Sequence, residues 1–204
     1  MRVMLIGSSW LGAAVLAELI KRGHSIAAVS APHDQDRLYK AADGCGLEPI
    51  YYEGMRPCAE YEKPDLIVAT HCHAYICRLT RSAAQYGAIG YHPSLLPLHR
   101  SRDAIAWAIR MHEPVTGGSV YWLGDRADDG PIAEQDWCFV RPDDTPATLW
   151  RRELAPMGVR LLGETVDHIE AGRVVRVDQD ETLATWEPAL KPVQLSNERR
   201  LKHV

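Results

Sequence analysis

Arg2-Val3-Met4-Leu5-Ile6-Gly7-Ser8-Ser9-Trp10-Leu11-Gly12 opens the chain, and its reading decides the fold class. A short apolar run of β character, Arg2–Ile6, breaks at Gly7. Apolar positions then recur at helical spacing (Leu11, Val15, Leu19) through Trp10–Arg22, and Gly23 stops the helix. The same rhythm continues outward. Ser25–Val29 reads as a strand, and Asp34–Asp43 as a helix stopped by Gly44 and Gly46. Leu47–Tyr51 and Leu66–Ala69 read as strands, Tyr75–Gln85 as a helix closed by Gly87, and Ala88–Tyr91 as a strand. Strands alternating with helices predict βαβ crossovers and a parallel sheet, an α/β fold of Rossmann-like, three-layer type. Ligands of such sheets bind at the carboxyl ends of the strands.

After Tyr91 the rhythm changes. Pro93–Arg100 is a loop with two prolines, and Ala104–Met111 a short helix. Ser119–Leu123 and Ile132–Val140 read as strands around an Asp/Gly turn. Thr145–Glu170 is helical, with Thr145 as N-cap, Pro146 at the first position, and a kink or split expected at Pro156 and Gly158. The polar end of the chain predicts a closing strand and then a loose tail. We assign residues 1–190 to one catalytic domain and 191–204 to the tail.

The 204 residues carry 23 basic and 27 acidic side chains, a net charge of −4, and 46% hydrophobic residues. A chain of this size buries roughly 70% of its unfolded surface, enough to fold without a metal or disulfide. The acidic balance argues against a nucleic-acid partner. No apolar run reaches the ~18–20 residues a membrane span needs, and Arg2–Ile6 shows no signal-peptide pattern. Five cysteines, odd in number and without CxxC spacing, read as reduced thiols of a cytoplasmic protein. The sequence leaves the oligomeric state open, a homodimer included.

Several motifs have ordinary explanations. Gly7–Gly12 is not the GxGxxG fingerprint, and no acidic residue closes the second strand, so no nicotinamide nucleotide is expected. His71-Cys72-His73 offers two metal-type ligands, fewer than a zinc site needs, and reads as pocket lining; no metal is assigned. Asp34, Asp36, Asp143 and Asp144 precede helices and read as caps. Trp107, Trp122, Trp137, Trp150 and Trp186 read as core or pocket wall. The informative stretch is Gly90-Tyr91-His92-Pro93-Ser94-Leu95-Leu96-Pro97-Leu98-His99-Arg100. It puts a histidine at the carboxyl end of a buried strand, ahead of a proline-stiffened loop. Asp128-Asp129-Gly130-Pro131 supplies an acidic turn before a strand. A carboxylate beside an imidazole stabilises the imidazolium.

His92–Pro97, Arg100, Trp107–Ile109, Thr116–Gly118 and Asp128–Gly130, in this order, resemble the formyltransferase family that uses 10-formyltetrahydrofolate. The helix Thr145–Glu170 and the segment Gln179–Trp186 resemble family features as well. Tyr91–Pro97 with His99-Arg100 is most similar to the hydrolase domain of the 10-formyltetrahydrofolate dehydrogenases. The resemblance implies that His92 and Asp128 are catalytic, exchanging protons around a tetrahedral intermediate. The family's Asn falls at Gly90, and a family glycine at Ser101; both departures lie where the acceptor is expected, together with Arg100. The resemblance further implies that backbone around Thr70, His71, Cys72, His73 and Ala74, and around Ala127 and Asp129, holds the pterin, with Leu95 and Leu96 as apolar walls. By the same resemblance the formyl donor is expected to be 10-formyltetrahydrofolate, and the acceptor a small molecule: an amino sugar amine, a hydroxylamine or water. A relative that has lost activity with its Asn and only binds folate or a nucleotide sugar is the alternative.

Overall fold

The structure, a computed structural model, describes residues 1–52 and 63–190. The tail assigned to 191–204 and Cys58 lie outside the described residues. Seven strands form one sheet: β1 (Arg2–Gly7), β2 (Ser25–Ala31), β3 (Ile50–Tyr51), β4 (Leu66–Thr70), β5 (Ala88–His92), β6 (Val115–Trp122) and β7 (Ile132–Phe139). Their order is β3-β2-β1-β4-β5-β6-β7. The first five pair in parallel; β6 and β7 add as antiparallel strands. The strand order reverses direction between β1 and β4, so the crevice at their carboxyl ends is the place where such a sheet takes a ligand.

One face of the sheet carries the larger core. Helices α1 (Ser9–Lys21), α2 (Arg37–Gly44) and α6 (Ala155–Glu170) pack there around Leu5, Leu19, Leu66, Ile89 and Val120, all withdrawn from solvent. Each large aliphatic side chain buried in this way stabilises the fold by ~1.5–3 kcal/mol. A smaller cluster on the other face joins Met4, Ile6, Ile67 and Ile76. Gly7 is required at the end of β1: a Cβ there would lie 2.2 Å from the Thr70 carbonyl oxygen. That glycine lets β1 and β4 reach the crevice side by side.

The structure departs from the sequence reading at several elements. Only Arg78–Arg81 (α3) of Tyr75–Gln85 is an α-helix, and only Ile50–Tyr51 of Leu47–Tyr51 is a strand. Strand β6 starts four residues before Ser119, because cross-strand bonds to β7 hold Gly117 and Gly118 in the ladder despite their weak strand preference. Thr145 caps the next helix, α5 (Pro146–Leu149), as expected. The irregularity comes before Pro156 rather than at it. Trp150–Leu154 is a π-turn, closed from the Ala155 N–H to the Trp150 carbonyl, while Gly158 lies inside α6 against the Tyr91 ring. The expected closing strand is reduced to two isolated bridges, Arg100 to Trp186 and Ile132 to Val177. Trp122 is core, but Trp137 and Trp186 are more than half exposed: Trp137 stands on the outer face of the edge strand β7, and Trp186 lies beneath Arg100.

Candidate active site

His92 ends β5, and its side chain is almost fully buried. Its Nε2 lies 2.7 Å from the His99 carbonyl oxygen. A carbonyl only accepts, so Nε2 carries the proton, and Nδ1 faces Asp128 Oδ2 at 3.6 Å. Two residues 36 positions apart in sequence thus meet, as their proposed pairing requires. The separation exceeds an ordinary hydrogen bond, so the two groups face each other without a direct bond.

Asp128 is held from several directions. Oδ1 accepts from the Tyr121 hydroxyl at 2.6 Å, and Oδ2 from the Ser101 N–H at 2.7 Å. Its own carbonyl and that of Gly130 accept from Gln179 Nε2 at 2.8 and 2.7 Å. Burial, with the negative Asp128 next to it, pushes the Tyr121 phenol well above its ordinary range, so it stays a donor.

The loop between β5 and α4 (Ala104–Arg110) brings Ser101 to this carboxylate. His99, Ser101 and Asp103 all have left-handed φ, +54°, +78° and +62°. Such values strain a non-glycine backbone and persist where surrounding contacts over-determine them. Here His99 N–H donates to Thr185 Oγ1 at 2.8 Å, and Arg100 N–H to the Thr185 carbonyl at 3.1 Å. The His99 ring, nearly fully buried, lies between Glu113 and Glu187 at 2.9 and 3.0 Å.

Arg100 is a correction to the expected acceptor contact. Its side chain is 1% exposed. The guanidinium donates to Gln179 Oε1 and, through two nitrogens, to both oxygens of Glu181. With its fork spent on these partners, Arg100 clamps the 179–181 segment, and through Gln179 the Asp128 turn, to the His92 loop. Gln179 is therefore a supporting residue of the site. Its place in the Gln179–Trp186 resemblance was the sequence signal for it, but no spacing ties it to Asp128.

Gly90 and Tyr121 are opposite each other in the β5–β6 pairing. A Cβ on Gly90 would meet Leu123 Cδ2 at 3.0 Å and the Tyr121 ring at 3.5 Å. The space beside Gly90 is therefore partly filled by its own sheet neighbours.

Thr70–Ala74 lies at the carboxyl end of β4. The Thr70 carbonyl accepts from the Ser8 N–H, that of His71 from the Ser8 hydroxyl, and that of Ala74 from the Cys72 thiol. Any pterin contact to these carbonyls is shared. His71 has φ +47°, and its Nδ1 meets Ser8 Oγ at 3.1 Å. Partial burial of the ring first, and the neighbouring His73, pull His71 below the ordinary histidine range, although both residues are exposed overall. Leu96 is buried and Leu95 half-buried over Gly117. Ala127 is exposed, and Asp129 pairs with Arg126 at 2.7 Å. A cavity of about 320 Å³, bordered by Leu96, Pro97, Gln135 and Gln179, opens behind the loop.

At the strand-order reversal, Asp36 does more than cap. It caps α2 through the Leu38 N–H at 2.8 Å, and both its oxygens also accept from the Ser9 N–H, at 3.1 and 2.9 Å, at the first turn of α1. The anion-binding end of α1 is thus filled by the protein's own carboxylate. The sequence identified Asp36 as a cap; its second helix end was not visible there.

Residues 51–165 match the profile of the family described as formyl transferase. Over 201 residues the chain is 34% identical to the mitochondrial 10-formyltetrahydrofolate dehydrogenase of Mus musculus, covering 92% of this chain and 22% of that protein. It spans about a fifth of the length of the 10-formyltetrahydrofolate dehydrogenases it matches. Among solved structures, HypX from Aquifex aeolicus in complex with tetrahydrofolic acid superposes with TM-score 0.72 at 21% identity, over 94% of this chain and 30% of HypX. Glycinamide ribonucleotide transformylase 1 from Symbiobacterium toebii gives 0.73 at 21%, over 88% of this chain and 93% of that one. These two likenesses are of fold. With the sheet order, the His92–Asp128 approach and the profile spanning more than half the sequence in agreement, the chain belongs to the formyl transferase family.

Proposed function

We propose that this chain takes the formyl group from 10-formyltetrahydrofolate and passes it to a small acceptor without phosphate, water above all. The observation that carries the reading is the His92–Asp128 pair, 3.6 Å apart at the carboxyl end of β5. The dehydrogenase relatives and the tetrahydrofolic acid bound in HypX support the choice of donor. A water or amine lying against Nδ1 and Oδ2 attacks the formyl carbon. Its proton passes to the His92–Asp128 pair, and the tetrahedral intermediate forms. Collapse breaks the bond from carbon to N10, and the pair returns the proton to N10, releasing tetrahydrofolate and formate or a formylated amine. Backbone N–H groups and a water take the place of the Asn side chain at the developing oxyanion. His92 and Asp128 are the catalytic residues. The pterin lies against Thr70–Ala74 and the Ala127–Asp129 turn.

The acceptor class rests on Asp36. A phosphate approaching the first turn of α1 meets a carboxylate that already holds the Ser9 amide, which disfavours a phosphorylated amine. Residues 1–190 form the proposed catalytic unit, working in the cytoplasm without a nucleic-acid partner. No helix among the described residues is long and apolar enough to cross a membrane. The test is incubation with 10-formyltetrahydrofolate, first alone and then with a panel of amines, following tetrahydrofolate by absorbance and products by mass. Turnover without an amine supports water; turnover only with a phosphorylated amine overturns the acceptor assignment.

A further inference from the structure

A buried phenol sits where β5 lacks a side chain. Gly90 and Tyr121 are register partners, and the Tyr121 ring lies 3.5 Å from the position a Cβ on Gly90 would take. The ring is 8% exposed, packed over the glycine, and its hydroxyl donates to Asp128 Oδ1 at 2.6 Å. The opposite oxygen, Oδ2, takes the Ser101 amide and faces His92. The carboxylate therefore has one oxygen fixed by Tyr121 and the other directed at the imidazole. Without the phenol, Oδ1 would lose its hydroxyl donor, and the Ser101 contact alone would set the angle of the carboxylate.

We propose that Tyr121 is a positioning residue of the formyl-transfer site: its ring occupies the space over Gly90, and its hydroxyl orients Asp128 toward His92. The proposal rests on the reading of the site given above. It also accounts for the coexistence of a side-chain-free position 90 with an intact His92–Asp128 pair. The hydroxyl that holds Asp128 Oδ1 comes from the strand beside position 90. Burial keeps this phenol protonated, so it is a donor across the working pH range.

The test is Tyr121→Phe, which keeps the ring and removes only the hydroxyl, assayed alone and in an Asp128→Asn background. For formyl release from 10-formyltetrahydrofolate we expect kcat to fall about 10- to 30-fold, the size of one hydrogen bond to a charged group, with KM within about twofold. In the Asp128→Asn background, removing the hydroxyl should cost less than about twofold more, since its effect runs through that carboxylate. An unchanged kcat in Tyr121→Phe, or an undiminished loss in the Asp128→Asn background, overturns the proposal. Loss of tetrahydrofolate binding by a folded Tyr121→Phe would mean that the hydroxyl serves the binding of the pterin instead of Asp128, and also overturns the proposal. Absence of turnover by the wild-type chain would instead count against the proposed function itself.

Discussion

His92 Nε2 donates to the His99 carbonyl at 2.7 Å, and that one bond decides which ring nitrogen is left for chemistry. It presents Nδ1 to Asp128. The carbonyl is held in turn by a left-handed residue whose ring is gripped by Glu113 and Glu187. The orientation of the imidazole is thus set by the loop that follows it.

His92→Ala removes the proton carrier while leaving the backbone proposed to hold the pterin. Formyl release should fall by ~10²–10⁴, with tetrahydrofolate affinity, measured by calorimetry, changed less than about threefold. A variant that loses folate binding but turns over normally when saturated would reverse the role assignment.

Ser101 contributes its N–H to Asp128 from a φ of +78°. Ser101→Gly keeps that N–H and relieves the strained conformation. The variant should melt higher, by the equivalent of about 1 kcal/mol, with formyl release retained. A lower melting temperature would show that the Ser101 side chain contributes more than the strain costs.

Asp36 serves two helix ends with one charge. Asp36→Asn keeps a capping oxygen and removes the charge, so stability should fall by only ~0.3–1 kcal/mol, and the variant should admit inorganic phosphate, which the wild-type chain should bind at least tenfold more weakly. Phosphate titration by ³¹P NMR checks this. Equal affinity in both proteins would remove Asp36 as the reason for phosphate exclusion.

Gly90→Asn inserts a side chain against Leu123 and the Tyr121 ring. We expect destabilisation of about 1–3 kcal/mol from overpacking. We also expect a lower ratio of formate to formylated product when a good amine is supplied. A folded variant with an unchanged ratio would mean that position 90 does not reach the reacting carbon.

The Glu181 carboxyl is held below its ordinary range by the hydrogen bond from Arg100. A depressed carboxyl contributes stability that is present above its unfolded value and is lost as pH falls through the folded one. Glu181→Gln should therefore melt below the wild type at neutral pH, and the gap should close in strongly acidic solution. A gap independent of pH would assign the loss to shape instead of charge.

The parallel half of the sheet was legible because its strands are short apolar runs punctuated by glycine, and α1 lies within a residue of its expected bounds. The antiparallel half was harder. Gly117 and Gly118 carry no strand signal of their own and are held by partners on β7. The same cross-strand register hid Tyr121, because nothing in the sequence says that it pairs with Gly90. His92 and Asp128 were legible as motif residues, and their approach follows from β5, β6 and the turn after β6. Arg100 was misplaced for a related reason. Its position after the motif says acceptor side, but its burial is set by Gln179 and Glu181, about 80 residues away.

The most direct measurement is the stoichiometry of products when the purified chain meets 10-formyltetrahydrofolate with no amine present, read against His92→Ala. The account predicts one formate for each tetrahydrofolate formed by the wild type and background conversion by the variant. No tetrahydrofolate from the wild type, or equal conversion by His92→Ala, would contradict it.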